Sequence, residues 1–271
     1  MKKLICVLVM FLVLTGLSGC KKTEGLIEEG VIKIATSPDY APYEFVDISK
    51  SGMDKYLGSD IELMKYIAEQ MGVKLVIEEM AFDACLMAVQ TQKVDIAISG
   101  FSWTPKRSES FEMSKGYFGE GDGEQQLLIL KKNADKFKSL ADVNNSNVKV
   151  GAQAGSIQEE YVDVQLPKAN KTTITDLDVA LSLLLSGSLD AIAISEHVAE
   201  VRIASHDNLT VVKENFETIA SGFVVVGKKG NTKLIDEINE YIDEVLNLDL
   251  YTTWLADAKA MAISLGQEIN E

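Results

Sequence analysis

Short apolar runs alternate with amphipathic runs along most of the chain. The apolar runs are rich in valine and isoleucine, which is typical of buried strands. The amphipathic runs space their apolar side chains by three or four positions, which is the period of an α-helix. In the first half, strands are predicted at 31–36, 73–80 and 94–99, and helices at 59–71 and 83–92. This alternation predicts a mainly parallel sheet with helices on both faces.

The same alternation returns in the second half of the chain. Strands are predicted at 147–153 and 189–195, and helices at 157–165 and 176–187. The stretches "AVQTQKVDIAISG" and "LLSGSLDAIAISE" share one pattern, in which a helix end, a turn and an apolar strand lead to a serine. We therefore predict two lobes with similar connections. The remaining predicted segments are a glycine-rich crossing at 116–125, a strand at 222–227 and a helix at 234–248.

Helix starts are marked by two Ser-x-x-Glu sequences and one Thr-Pro pair. Ser59 with Glu62, and Ser156 with Glu159, are predicted to form capping boxes. Thr104 is predicted to cap a third helix, because Pro105 suits the first helical position.

The first twenty residues have the composition of a secretory signal. Lys2 and Lys3 precede an apolar run at 5–14, which is too short to span a bilayer. The run leads to "LSGC", which resembles a bacterial lipobox in which Cys20 is lipidated. On this interpretation, residues 1–19 are the signal peptide and 20–29 form a lipidated tether that holds the protein at the outer face of a membrane. The alternative is a plain signal peptide with a coincidental cysteine.

Composition excludes several classes of function. The formal charge of −15 argues against nucleic acid, because phosphate binding requires clustered lysine and arginine. Beyond the two leader cysteines only Cys85 remains, in an apolar helical pattern typical of a core residue, so no intrachain disulfide is expected. The two histidines lack metal-ligand spacing, and no phosphate-binding loop or nucleophile elbow occurs. Neither a metal nor a cofactor is expected.

Polar and aromatic residues collect where the predicted strands end. In open α/β sheets, ligands bind beyond the carboxyl ends of the strands. The candidate residues at these ends are Ser37, Tyr40 and Glu44; Ser99, Gly100, Phe101, Ser102 and Trp103; Gly155, Ser156 and Ile157; and Ser195 and Glu196. The aromatic residues among them either stack on a ligand or pack in the core. Ser156 is explained by capping alone, although a helix start after a strand also presents N–H groups to an anion.

Arg107 is the candidate cation of this region. It falls in the first turn of the helix that Thr104 caps, where a positive charge opposes the helix dipole. An anionic partner is therefore expected. A ligand carboxylate held by the guanidinium would supply one, and so would a surface ion pair with Glu109 or Glu112.

The residues described so far resemble one known family. The stretches "ATSPDYAPYEF", "LGSDIELMKYIAEQMGVKL", "ISGFSWTPKR", "VKVGAQAGSIQEEYV" and "GSLDAIAISEHVA" occur in the order found in the polar amino-acid-binding proteins of bacterial ABC importers, solute-binding protein family 3. The resemblance implies an α/β, two-lobed periplasmic-binding-protein-like fold (type II). Each lobe is then a mixed, mainly parallel sheet flanked by helices, and two crossing strands join the lobes. It places lobe one at 30–118 plus 222–271 and lobe two at 119–221. It also implies a monomer that takes a free amino acid, or a close derivative, to a membrane permease.

The resemblance also implies roles for single residues. Arg107 should hold the ligand α-carboxylate, assisted by the backbone N–H of Ser102 and by the helix start at Ser156 and Ile157. Tyr40 should stack on the ligand side chain, and Ser99 or Gly100 should offer a carbonyl to the α-ammonium group.

Three positions depart from the family pattern. Ser195 stands where many relatives have the aspartate that pairs with the ammonium group, and Glu196 is the candidate substitute. Ser59 replaces an aromatic wall that Phe101 or Trp103 could supply. Ser37 replaces an aspartate that often contacts the ligand side chain in relatives. The identity of the ligand is therefore not predicted.

Two other functions remain as alternatives. The first is a dehydratase of prephenate-like acids on the same fold, with Glu196, Glu44 or His197 as the general acid. The second is a sensor or adhesin at the cell surface.

Overall fold

The computed structural model describes residues 24–119, 124–218 and 221–270, with the backbone alone at 267–270. The predicted signal peptide and Cys20 lie outside these residues. The strands are β1 (Val31–Thr36), β2 (Asp39–Tyr40), β3 (Glu44–Val46), β4 (Tyr56–Leu57), β5 (Lys74–Glu79), β6 (Ile96–Ala97), β7 (Ser102–Trp103), β8 (Phe111–Met113), β9 (Gln125–Leu130), β10 (Lys149–Gln153), β11 (Asn170–Ile174), β12 (Ala191–Ser195), β13 (Leu209–Val211), β14 (Ser221–Phe223) and β15 (Val226–Lys228).

Helices separate most of these strands. They are α1 (Ser59–Met71), α2 (Phe82–Gln90), α3 (Pro105–Ser110), α4 (Leu140–Val143), α5 (Ile157–Gln165), α6 (Leu177–Leu185), α7 (Glu196–Ser205), α8 (Thr232–Asn247) and α9 (Leu250–Asn270), with short 3₁₀ helices at Gly52–Lys55 and Lys131–Asn133. None of the described helices is long and apolar enough to cross a bilayer.

Two five-stranded sheets form the two lobes. The sheet of lobe one has the order β5-β1-β6-β15-β8, and the sheet of lobe two has the order β11-β10-β12-β9-β13. In each sheet the first three strands are parallel and the last two run antiparallel to their neighbours. The sheets are therefore mixed, with the parallel strands on one side of each, which confirms the predicted fold class. Apolar side chains of both faces form the cores, as their near-continuous burial in β9 and β12 shows.

The chain passes between the lobes at two paired segments. The Tyr117 N–H donates to the Phe223 carbonyl at 2.9 Å, and the Phe223 N–H donates to the Phe118 carbonyl at 2.7 Å. The lobe boundaries predicted at residues 118 and 221 fall beside 120–123 and 219–220, which lie outside the described residues, and they stay a prediction.

Helix α9 bridges the two lobes. It packs against α1 of lobe one and against α7 of lobe two. Ala258 and Ala262 of α9 share an apolar cluster with Val201 of α7 and with Phe45 of β3. The lobes are therefore in direct contact, and the cleft between them is closed.

Several local predictions need correction. Helix α1 begins at Ser59 after Gly58, and the Ser59 hydroxyl donates to Tyr251 rather than capping, so the first predicted capping box is wrong. Ser156 does cap α5, but the Glu159 carboxylate accepts from Gly155 N–H. The strand predicted at 94–99 shortens to β6, and the one predicted at 222–227 divides into β14 and β15. For Ser59, a hydrogen bond to a distant residue overrides the local capping pattern.

Candidate ligand-binding site

Two adjoining cavities lie between the lobes and share Ser102 and Ile157 in their walls. The first is lined by Tyr40, Phe82, Gly100, Ser102, Arg107, Gln153, Ser156, Ile157 and Gln158. The second is lined by Tyr43, Ser102, Phe118, Gly119, Gln125, Ile157, Tyr161, Ser195, Thr218, Gly222 and Phe223. Residues predicted from four separate strand ends therefore meet around one space, as expected for an α/β fold.

Arg107 links the two lobes at the wall of the first cavity. Its Nη1 donates to the Ser102 carbonyl at 2.7 Å, and its Nη2 donates to the Gly155 carbonyl at 2.9 Å. Burial in the cleft lowers the pKa of Arg107 to about 10, so the guanidinium remains charged at neutral pH. Neither Glu109 nor Glu112 pairs with it among the described ion pairs. The two carbonyls carry no net charge, so the positive charge is available to an anion.

Two stacked rings support the guanidinium. Phe82 and Phe101 stack with ring centroids 4.5 Å apart, and the Arg107 Cζ lies 6.0 Å and 5.6 Å from those centroids. Phe101 is fully buried and absent from the cavity walls, so the structure places it beneath Arg107 and not against a ligand. The rings restrict the side chain to one direction and add cation–π attraction.

The start of α3 sets the backbone position of Arg107. Thr104 Oγ1 accepts from Arg107 N–H at 3.1 Å, and Pro105 occupies the first helical position, as predicted. A hydroxyl cap satisfies an N–H group that the helix cannot pair internally.

Replacing Thr104 with alanine is expected to lower the free energy of unfolding by about 1 kcal/mol, because the Arg107 N–H loses its acceptor. Binding should also weaken, since α3 positions the guanidinium. Urea unfolding and calorimetric titration measure the two effects. Ser139→Ala removes the cap of α4 in lobe two and is the control. Equal loss of binding in both variants would contradict a specific role for Thr104.

A chain of polar side chains crosses the cleft from Tyr40. The Tyr40 hydroxyl donates to Ser195 Oγ at 2.8 Å and accepts from Gln158 Nε2 at 3.3 Å. Gln158 Nε2 also donates to Gln125 Oε1 at 2.8 Å. The Tyr40 ring stacks on Tyr43 with centroids 5.5 Å apart. Tyr40 therefore joins the lobes through its hydroxyl and presents its ring to the first cavity.

Buried acids lie behind the wall formed by lobe one. Glu44 is fully buried, and its Oε1 accepts from Ser99 Oγ at 2.8 Å. Asp60 accepts from Tyr117 and Tyr251 hydroxyls at 2.7 Å each and from Gly100 N–H at 3.0 Å. Burial raises the pKa of Asp60, and these three donors oppose that shift by stabilising its ionised form. Burial, and then the charge of Asp60, raise the pKa of Glu44 well above its ordinary range, which favours the neutral form of Glu44.

Some predicted residues lie away from both cavities. Trp103 is 37% exposed and pairs with Ser221 on the outer side of the cleft. Ser37 and Ser99 are buried behind the wall, where Ser37 N–H donates to Ser99 Oγ at 3.0 Å. Glu196 begins α7, and its side chain is not part of either cavity wall. Gly155 contributes its carbonyl to Arg107.

Several residues of the site escaped the sequence interpretation. Gln125, Gln153 and Gln158 line the cavities, as do Tyr43, Phe118 and Phe223. Tyr43 and Phe223 contact edge to face with centroids 5.0 Å apart, and both line the second cavity. Phe118 and Phe223 lie beside glycines in the crossing segments, which was a signal for their position. No sequence signal marked the three glutamines as site residues, because amide side chains are common on exposed surfaces.

Known proteins resemble this chain along most of its length. The family model described as bacterial extracellular solute-binding proteins, family 3, matches residues 32–256. The arginine-binding extracellular protein ArtP of Bacillus subtilis is 29% identical over 253 residues, which cover 90% of this chain and 93% of that protein. The cyclohexadienyl dehydratase of Pseudomonas aeruginosa is 21% identical over 218 residues, covering 80% and 79%.

A solved structure shares the fold over most of its length. The amino acid ABC transporter substrate-binding protein AbpA of Streptococcus pneumoniae, bound to L-arginine, superposes with a TM-score of 0.80 at 32% identity, covering 86% of this chain and 96% of that one. The family match spans more than four fifths of the sequence and includes every strand of both large sheets except the first residue of β1. The chain therefore belongs to the bacterial extracellular solute-binding proteins of family 3.

Proposed function

We propose that this protein is the amino-acid-binding component of an ABC importer, which captures a free amino acid between its lobes and delivers it to a membrane permease. The single observation that carries the proposal is the charged Arg107 guanidinium at the cavity wall, held by Ser102 of lobe one and Gly155 of lobe two. Relatives named for arginine, histidine and cystine binding support the ligand class.

The α-carboxylate of the amino acid binds Arg107 in this proposal. The start of α5, capped by Ser156, borders the same cavity and favours a negative charge there. The ligand side chain extends toward the second cavity, whose walls include Tyr43, Phe118 and Phe223. The α-ammonium group lies near Ser195 and Tyr40, whose hydroxyl oxygens accept hydrogen bonds but carry no charge. Ser99, Gly100 and Glu196 remain the other candidates for this group.

The protein acts outside the cytoplasm, as its family does. Lipidation of Cys20 would hold it at the outer face of the membrane near its permease, and it would work there as a monomer. The dehydratase alternative is less well supported, because its candidate acids are poorly placed. Glu44 is fully buried behind Ser99, and His197 contacts Glu200 at 3.2 Å. Binding without turnover is therefore proposed.

A thermal-shift screen against the twenty L-amino acids tests this function. An amino acid that binds only the folded state should stabilise it by about 2.7 kcal/mol at a concentration one hundred times its Kd. Recovery of the unchanged amino acid after long incubation would support transport over catalysis. Absence of any stabilisation by all twenty, or conversion of the bound compound, would overturn the proposal.

A further inference from the structure

Asp39 of lobe one receives hydrogen bonds from three elements of lobe two. Its Oδ2 accepts from Gln153 Nε2, at the end of β10, and from Leu177 N–H, at the start of α6, both at 2.8 Å. Its backbone carbonyl accepts from Arg202 Nη2 of α7 at 3.1 Å. We propose that Asp39 is a positioning residue that holds the two lobes closed over the ligand cavities without touching the ligand.

Asp39 is suited to this role by its burial and its partners. It is only 6% exposed, and it lines neither cavity. Opening of the cleft would separate its carboxylate from two buried N–H donors that belong to the other lobe. A buried donor that loses its acceptor carries a free-energy penalty unless water reaches it. The contact of Oδ2 with the first turn of α6 also places a carboxylate at a helix N-terminus, which favours it electrostatically.

Gln153 connects this contact to the ligand. Its side chain lines the first cavity together with Arg107, while its Nε2 donates to Asp39. Movement of lobe two onto a bound molecule would therefore bring Gln153 to the ligand and to Asp39 in the same step. The role of Asp39 rests on the proposed function in one respect, which is that closure of the lobes encloses a bound molecule.

Solution scattering of the full chain tests the role of Asp39. The radius of gyration should be measured without ligand and with an equimolar mixture of the twenty L-amino acids. Under each condition in which wild type is compact, Asp39→Ala should be more expanded, because Leu177 and Gln153 lose their acceptor. Asp39→Asn keeps an oxygen in the same place and should remain compact.

A matched control and a second variant make the result decisive. Asp178→Ala removes the other hydrogen-bond partner of Arg202, at 2.6 Å within lobe two, and should leave the scattering unchanged. If Asp39→Ala fails to fold, Arg202→Met removes one bond to Asp39 and should expand the protein where Asp178→Ala does not. An alanine variant as compact as wild type, or a wild type expanded under both conditions, would refute the proposal. Expansion without any amino-acid binding would support the Asp39 contact and contradict only the proposed function.

The pH profile provides a second readout. Burial raises the pKa of Asp39 from 3.8 to about 6, with a smaller effect from Asp176 and Asp178 of α6. Arg202 faces it from α7, and Glu44 lies nearby in lobe one. The carboxyl would regain its ordinary pKa once opening exposes it to water, so closing takes up a proton between about pH 4 and pH 6.

The sign of this linkage favours the closed form at lower pH. The closed-to-open ratio of wild type should rise about tenfold from about pH 7 to about pH 5. Asp39→Asn cannot titrate and should lack this rise, which separates Asp39 from the two histidines. Identical pH profiles for wild type and Asp39→Asn would overturn the proposal.

Discussion

Arg107→Ala is expected to weaken binding of the amino acid identified by the screen at least about tenfold, a loss of about 1.5–3 kcal/mol. A hydrogen bond to a charged group is worth this much because the cleft excludes water, and alanine supplies neither the charge nor the N–H donors. Isothermal titration calorimetry measures the change. The fold should survive, since among the described residues the guanidinium donates to two backbone carbonyls and to no buried side chain.

Two further variants test whether the loss of affinity comes from the guanidinium of Arg107 itself. Lys106→Ala removes a neighbouring exposed cation from the same helix and should leave the affinity unchanged. Arg107→Lys keeps the charge without the planar fork and should bind with intermediate affinity. Unchanged affinity in Arg107→Ala would show that the carboxylate binds elsewhere in the cleft.

Asp60→Ala is expected to lower the free energy of unfolding by about 3–5 kcal/mol. The substitution leaves two buried tyrosine hydroxyls, of Tyr117 and Tyr251, and the Gly100 N–H without their acceptor. These donors come from the crossing segment, from α9 and from the wall of the first cavity. Asp60 therefore ties together three parts of lobe one that surround the cleft.

Urea unfolding followed by far-UV circular dichroism measures this effect. The control is Glu62→Ala on the same helix, where a half-exposed carboxylate pairs with Lys65. It should change stability by less than about 0.5 kcal/mol, as exposed pairs do. A similar cost for both variants would show that the three donors find other acceptors, and that Asp60 is not the centre of the network.

The replacement of an expected aspartate by Ser195 gives the cleft an uncharged pair of hydroxyls. Tyr40 and Ser195 bond each other across the lobes at 2.8 Å. A zwitterionic amino acid that enters the cleft has to compete with this bond for its ammonium contacts. We therefore expect the ligand preference of this protein to differ from that of the arginine-binding relatives.

Local patterns in the sequence were sufficient for much of the fold. Periodicity located β1, and periodicity together with the Ser156 cap located α5, at their observed bounds, because a buried strand and an amphipathic helix depend mainly on nearby residues. The start of α3 was equally predictable, since Thr104 caps it through a bond to a residue three positions away. The position of Arg107 in the first turn of that helix followed from the same local signals.

Only the tertiary structure decided how the polar groups pair. Ser59 matched a capping pattern, but Tyr251, 192 positions away, takes its hydroxyl. No local pattern marked Asp39 as important. Its hydrogen-bond donors, Gln153 and Leu177, are 114 and 138 positions away and meet it only across the closed lobes. The sequence by itself determined the main strands and helices of two similarly connected lobes and the helix start that carries Arg107, because these depend on nearby residues. The packing of the lobes decided which acids are buried and which residues line the cavities, because burial and long-range hydrogen bonds depend on surfaces that exist only once the chain is folded.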